Sequence, residues 1–195
     1  MALPGNVLST DTSHDDFISP RDVPKTLIQD YEIGGVALAD PSQGLNVKTW
    51  RAFIDDAGTT IKLEATGVLT TTQITGTEIT EVSLSFDQNM RPVIAFVDSG
   101  VAKFRWFDSL VSNFVTTTLT SAKNPRVCLD DKRAQTLGSS DVILAYLLAD
   151  ALVMRMQRDR YTVAYELDDE IEDRDLLQIG MNKRNRFQFQ LQVSP

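Results

Sequence analysis

The side chains able to do chemistry are few, and their spacing suits little of it. The single histidine, His14, lies in the polar string STDTSHDD (Ser9–Asp16), without periodic apolar residues to mount it. A catalytic dyad needs an oriented base, so His14 reads as a surface histidine. The single cysteine, Cys128, sits in RVCLDD with no histidine beside it. It reads as a strand residue packed inward. Carboxylates cluster at Asp15–Asp16, Asp55–Asp56, Asp130–Asp131 and Asp168–Glu170. Adjacent carboxylates suit a hard cation such as calcium, but no loop here has the alternating ligands and central glycine that such a site needs. They read as solvated turns. There is no Gly-rich phosphate loop and no nucleophile elbow. The sequence predicts no catalytic residue, no metal ligand and no cofactor.

Two charged strings are more informative. DDKR (Asp130–Arg133) precedes the most apolar stretch of the chain, and QRDR (Gln157–Arg160) follows it. Arginine grips carboxylates with two prongs and stays charged when partly buried. Asp131, Arg133, Arg158, Asp159 and Arg160 are therefore the candidate ionic network, fixed under or between subunits. Ordinary exposed pairs, each contributing ~0–1 kcal/mol, are the competing reading. Arg184 and Arg186 beside Phe187 and Phe189 form a small basic–aromatic cluster. It is opposed by a net charge of -8, so no nucleic-acid partner is expected. The acidity is uneven: residues 1–110 hold 8 Lys/Arg against 15 Asp/Glu, and residues 111–195 hold 11 against 12.

The elements that would carry these groups are strands. A β-type run, a turn rich in Asp, Gly or Ala, and a second β-type run occur at Thr49–Ala65, Pro92–Phe107 and Asp141–Met156. Period-two alternation marks Thr59–Ala65, Glu81–Phe86, Tyr161–Leu167 and Phe187–Leu191. Residues 59–80 carry nine Thr, which suit a strand with a solvent face better than a linker. Val142–Met156 also admits a helix, capped by Ser139 or Ser140. Its apolar residues do not form one narrow stripe, and its likeness to the other two hairpins favours strands. The fold class expected is all-β: an antiparallel sandwich or barrel-like array of repeated β-hairpins with an extended N-terminal arm.

The arm is residues 1–33, with Pro4, Pro20 and Pro24 and one short helix expected over Val23–Tyr31. Residues 34–195 form the β-rich domain. A chain of 195 residues buries enough surface to fold without staples, and one cysteine allows no internal disulfide. The start lacks the pattern of a signal peptide, and no run is apolar enough for a membrane span.

The strings LSFDQNMRPVIAFV (Leu84–Val97) and FRWFD (Phe104–Asp108) resemble a stretch of structural proteins of tailed bacteriophages. PRVCLDDKR (Pro125–Arg133), SDVILAY (Ser140–Tyr146), MQRDRY (Met156–Tyr161) and NRFQFQL (Asn185–Leu191) keep the same order and character. The resemblance spans roughly residues 34–192 and leaves the arm uncovered. It implies a non-enzymatic, multi-copy tail component at the tube, the tip or a fibre attachment point. Its partners would be itself, in a ring or other homo-oligomer, and other tail proteins, in a virion assembled in the host cytoplasm. It carries over no catalytic or metal-binding residue. The competing expectation is a carbohydrate-binding module, with Trp50, Trp106 and Tyr146 stacking on sugars.

Overall fold

The computed structural model describes residues 33–40, 46–65, 70–87, 89, 91–130, 141–169, 171–182 and 186–194. The expected helix over Val23–Tyr31, His14, Asp131 and Arg133 lie outside them, as does the arm apart from Ile33. The described chain is built from strands, in four antiparallel sheets. Sheet 1 contains β1 (Ile33–Asp40), β2 (Asn46–Ile54), β3 (Thr60–Ala65) and β4 (Thr71–Thr75). Sheet 2 contains β5 (Ile79–Phe86), β6 (Pro92–Asp98), β7 (Val101–Asp108) and β8 (Asn113–Thr118). Sheet 3 contains β9 (Ala122–Leu129), β10 (Val142–Leu148), β11 (Ala151–Met156) and β12 (Tyr165–Asp168), with a 3-10 turn at Gln157–Asp159. Sheet 4 is the pair β13 (Arg174–Met181) and β14 (Phe187–Val193).

Within each sheet the strands follow chain order. The three similar sequence runs therefore occupy equivalent places: β2–β3, β6–β7 and β10–β11 are the second and third strands of successive sheets. The first strands lie beside one another, β1 against β5, β5 against β9, and β9 against β13. Successive inner strands of propeller blades are neighbours in the same way.

Three apolar layers fill the spaces between sheets. Ala52, Ile61, Leu63 and Ile74 meet Val82, Leu84, Ile94 and Phe96 between sheets 1 and 2. Val93, Ala95, Phe104 and Trp106 meet Val127, Leu144, Tyr146 and Val153 between sheets 2 and 3. Ile143, Ala145, Leu147 and Met154 meet Leu176, Ile179, Phe189 and Leu191 between sheets 3 and 4. Alternate residues of β6 and β10 thus enter different layers. A strand buried on both faces must be apolar at every position, which accounts for the unbroken runs VIAFV and VILAYL. The helix reading of Val142–Met156 fails for this reason.

One sequence assignment shifts, and one strand has no counterpart in the sequence reading. The strand expected over Tyr161–Leu167 begins only at Tyr165, because Arg160 and Tyr161 take positive φ of 50° and 56° and turn the chain. Arg174–Met181, which has no clean alternation, is strand β13, and its register slips between Leu176 and Gln178. Such a bulge moves apolar residues out of a period of two.

Side chains also stitch the links between sheets. The Asp98 carboxylate, at the end of β6, accepts the N–H groups of Thr77 and Glu78 at 2.9 and 3.0 Å and meets Lys103 Nζ at 2.8 Å. Gly76 is needed beside it, since a Cβ there would lie 2.9 Å from Ile79 and 3.0 Å from Asp98.

Candidate assembly edge

The loop after the first strand is closed in the same way in sheets 2, 3 and 4. Asp87 donates its N–H to Arg91 O and accepts Arg91 N–H on Oδ1, both at 2.9 Å. Asp130 makes the same pair of bonds with Asp141, both at 2.8 Å. Asn182 makes them with Arg186, both at 3.0 Å. A short side-chain carbonyl or carboxylate here replaces the next ladder bond and fixes the exit of the strand. The intervening loops differ in length, so the recurrence is hidden in the sequence.

In sheets 2 and 3 this edge is drawn together by arginines from the β11–β12 loop. Arg158 spans Asp130, at 3.0 Å, and Asp141, both ends of the β9–β10 loop. Arg160 reaches across to Asp108 at the end of β7. The Arg160 hydrogen bond holds the Asp108 carboxyl below the usual carboxylate range, against the opposing effect of burial. The hydrogen bond that Arg158 donates to the Asp141 carboxylate raises the Arg158 pKa, so that guanidinium stays charged. Asp159 pairs differently: its carboxylate accepts the Tyr165 hydroxyl at 2.9 Å.

Beneath the ion pairs the loop is pinned by rings. Tyr161 is buried edge-on against Phe104 and Trp106, with ring centroids 4.9 and 5.0 Å away. Arg155 donates to Tyr146 Oη at 2.8 Å and to the Tyr161 carbonyl at 2.7 Å. Burial pushes the Tyr161 phenol pKa strongly upward, with Asp141 and Asp87 adding to it, so the ring is neutral. The segment Met156–Tyr161 is thus a latch that combines a turn with positive φ, an aromatic anchor and two arginine bridges.

Of the expected ionic network, Arg158 and Arg160 are brought to one edge, and Asp159 lies between them in sequence. Their carboxylate partners are Asp130, Asp141 and Asp108, which the sequence reading did not select. The available signal was position: each of the three adjoins a strand end. Sequence reasoning also missed Arg126. It lies on β9, pairs with Glu81 of β5 at 2.7 Å and donates to the Leu177 carbonyl of β13 at 2.8 Å. Asn124 adds bonds to Glu81, at 3.2 Å, and to the Leu176 N–H, at 3.3 Å. These two residues bind the first strands of sheets 2, 3 and 4 into one seam.

The described groups include one thiol and several carboxylates. Burial pushes the Cys128 thiol far up, which removes the reactive thiolate. Among the described residues no group of three or more His, Cys, Asp or Glu is placed to hold a metal ion. Trp106 and Tyr146 are buried, and Trp50 packs half-buried on the first layer, 5.5 Å from the Phe86 ring. Burial withdraws the Trp106 and Tyr146 rings from stacking on a sugar, while Trp50 keeps part of its surface exposed. Leu110 and Val111, on the loop after Asp108, are 72% and 58% exposed, and Val163 is 43% exposed beyond the latch. Among the described residues no helix is long and apolar enough to cross a membrane. No family model, curated protein or solved structure matches the chain.

Proposed function

We propose that this chain is a non-enzymatic structural protein of a phage virion, a multi-copy tail component that acts through protein–protein contacts. The observation that carries the reading is the sequence resemblance over residues 34–192. Its strings fall on the strands and loops that organise the sheets: Leu84–Val97 covers the end of β5 and all but the last residue of β6, and MQRDRY is the latch. The latch supports it further. A loop fixed by arginine bridges, with Leu110, Val111 and Val163 exposed around it, presents apolar residues at little further entropic cost, as a repeated assembly contact requires. In this reading the partners are other copies of the chain and other tail proteins, without nucleic acid, and the location is the virion tail.

The test is composition of purified particles. Mass spectrometry should find the chain in stoichiometric, multi-copy amount in intact particles and in isolated tails, and a cryo-EM map should contain its stacked sheets. A protein abundant in infected cells but missing from washed particles overturns the reading.

A further inference from the structure

Among the described residues, sheets 1, 2 and 3 each contain four strands, whereas sheet 4 contains two. The shortfall lies on one side. β13 sits beside β9, so β14 is the second strand of its sheet, and among the described residues no third strand pairs with its other edge. Across the gap, sheet 3 keeps its full width. Tyr165 of β12 is paired with Met154, whose side chain enters the layer facing sheet 4, and Tyr165 is left 39% exposed. Val193, at the end of β14, is 56% exposed. β14 itself, FQFQLQV, has no charge, proline or glycine to discourage pairing.

We propose that the edge of β14 left unpaired among the described residues binds an extended segment of another protein as the third strand of sheet 4. Such strand addition draws affinity from main-chain hydrogen bonds and selectivity from alternate side chains. The incoming strand would place apolar residues in line with Phe187, Phe189 and Leu191, under Met154 and Tyr165. Its polar residues would extend the row Gln188, Gln190 and Gln192.

The charge of its first residues follows from the neighbouring loop. The link from β12 to β13 crosses from the outermost strand of sheet 3 to the innermost strand of sheet 4. It carries exposed Asp169, Glu172 and Asp173, and the Ser194 N–H just after β14 bonds the Asp173 carbonyl at 2.9 Å. A strand antiparallel to β14 therefore starts beside these carboxylates, so a partner with Lys or Arg at that end is favoured. A second copy of this chain cannot supply its own β14 in this antiparallel position with the apolar faces aligned. The two copies of sheet 3 would then occupy the same space. The inference rests on sheet geometry and does not depend on a virion role.

The probe is a blocked, fluorescent peptide, Lys-Lys-Val-Thr-Val-Thr-Val-Thr, titrated into the 195-residue protein. Saturable binding is expected, with slowed hydrogen exchange at β14 and not at the outer strands β4 and β8. A peptide with Pro in place of its central Val should not bind. Glu-Glu in place of Lys-Lys should weaken binding about tenfold, as should the triple variant Asp169→Asn, Glu172→Gln, Asp173→Asn on the protein. A thermal melt checks that the variant is folded. No binding of the Lys-Lys peptide, equal binding of the Pro peptide, or protection confined to another strand overturns the inference. So does self-association that excludes the peptide.

Discussion

Arg126 is 5% exposed, and a guanidinium so far from water is tolerable only when its donors and its charge are both met. Glu81 meets the charge, while the Leu177 and Pro125 carbonyls accept further bonds. Removing one partner strands the other, so Arg126→Met should cost about 3–5 kcal/mol in urea unfolding. Glu81→Gln in the same chain should recover part of that loss, which a double-mutant cycle measures. A tolerated Arg126→Met would show that the seam is ornamental. Asp98 makes a prediction about pH. Its hydrogen bond with Lys103, then those from Glu78 and Thr77, bring its pKa down from 3.8 to about 2. A depressed folded-state pKa gives stability that is present above the unfolded value and lost as pH falls through the folded one. Asp98→Asn should therefore lower Tm near neutrality, and the gap from the parent should close between about pH 4 and pH 2. A gap that stays constant over that range rules the mechanism out. Neither residue stands out in the sequence. Asn124–Pro125 reads as a turn or an extended entry to Val127–Leu129, and the single carboxylate of Asp98 reads as one more polar turn residue.

At the scale of elements, the hairpin β10–β11 shows how far sequence could go. The likeness of Val142–Met156 to Pro92–Phe107 indicates two strands, but the turn Ala149–Asp150 lacks the glycine that Ser99–Gly100 supplies. Ala149 nevertheless takes φ 52°, in the left-handed region where a Cβ is strained. Ala149→Gly should relieve that strain and stabilise the protein by about 0.5–1 kcal/mol net of glycine's entropy, read as a rise in Tm of a few degrees. An unchanged or lower Tm would place the strain elsewhere. The latch was legible in part. QRDR pointed to Arg158 and Arg160, while their partners lie 17, 28 and 52 residues away and only the stacking of sheets 2 and 3 brings them close. β13 was hidden because its bulge breaks the alternation that marks other strands.

For the whole molecule, a repeat of four-stranded sheets has a mechanical consequence. Among the described residues each apolar layer joins neighbouring sheets, so sheet 4 is held by sheet 3 through one layer and by the Arg126 seam, with no apolar contact to sheet 1 in that layer. Stability in such stacks is close to a sum of nearest-neighbour terms, and local opening follows the sheets. Leu191 is fully buried in the last layer, so Leu191→Ala should cost about 2–5 kcal/mol there. Hydrogen exchange should accelerate in β13 and β14, and less in β10, while β2 and β3 keep their protection. The sequence could show the repeat of hairpins but not this order, because pairing within a sheet is local and packing between sheets is not. Equal acceleration across all four sheets would mean one cooperative unit. The Arg126 seam would then couple the stack more strongly than its apolar layers do.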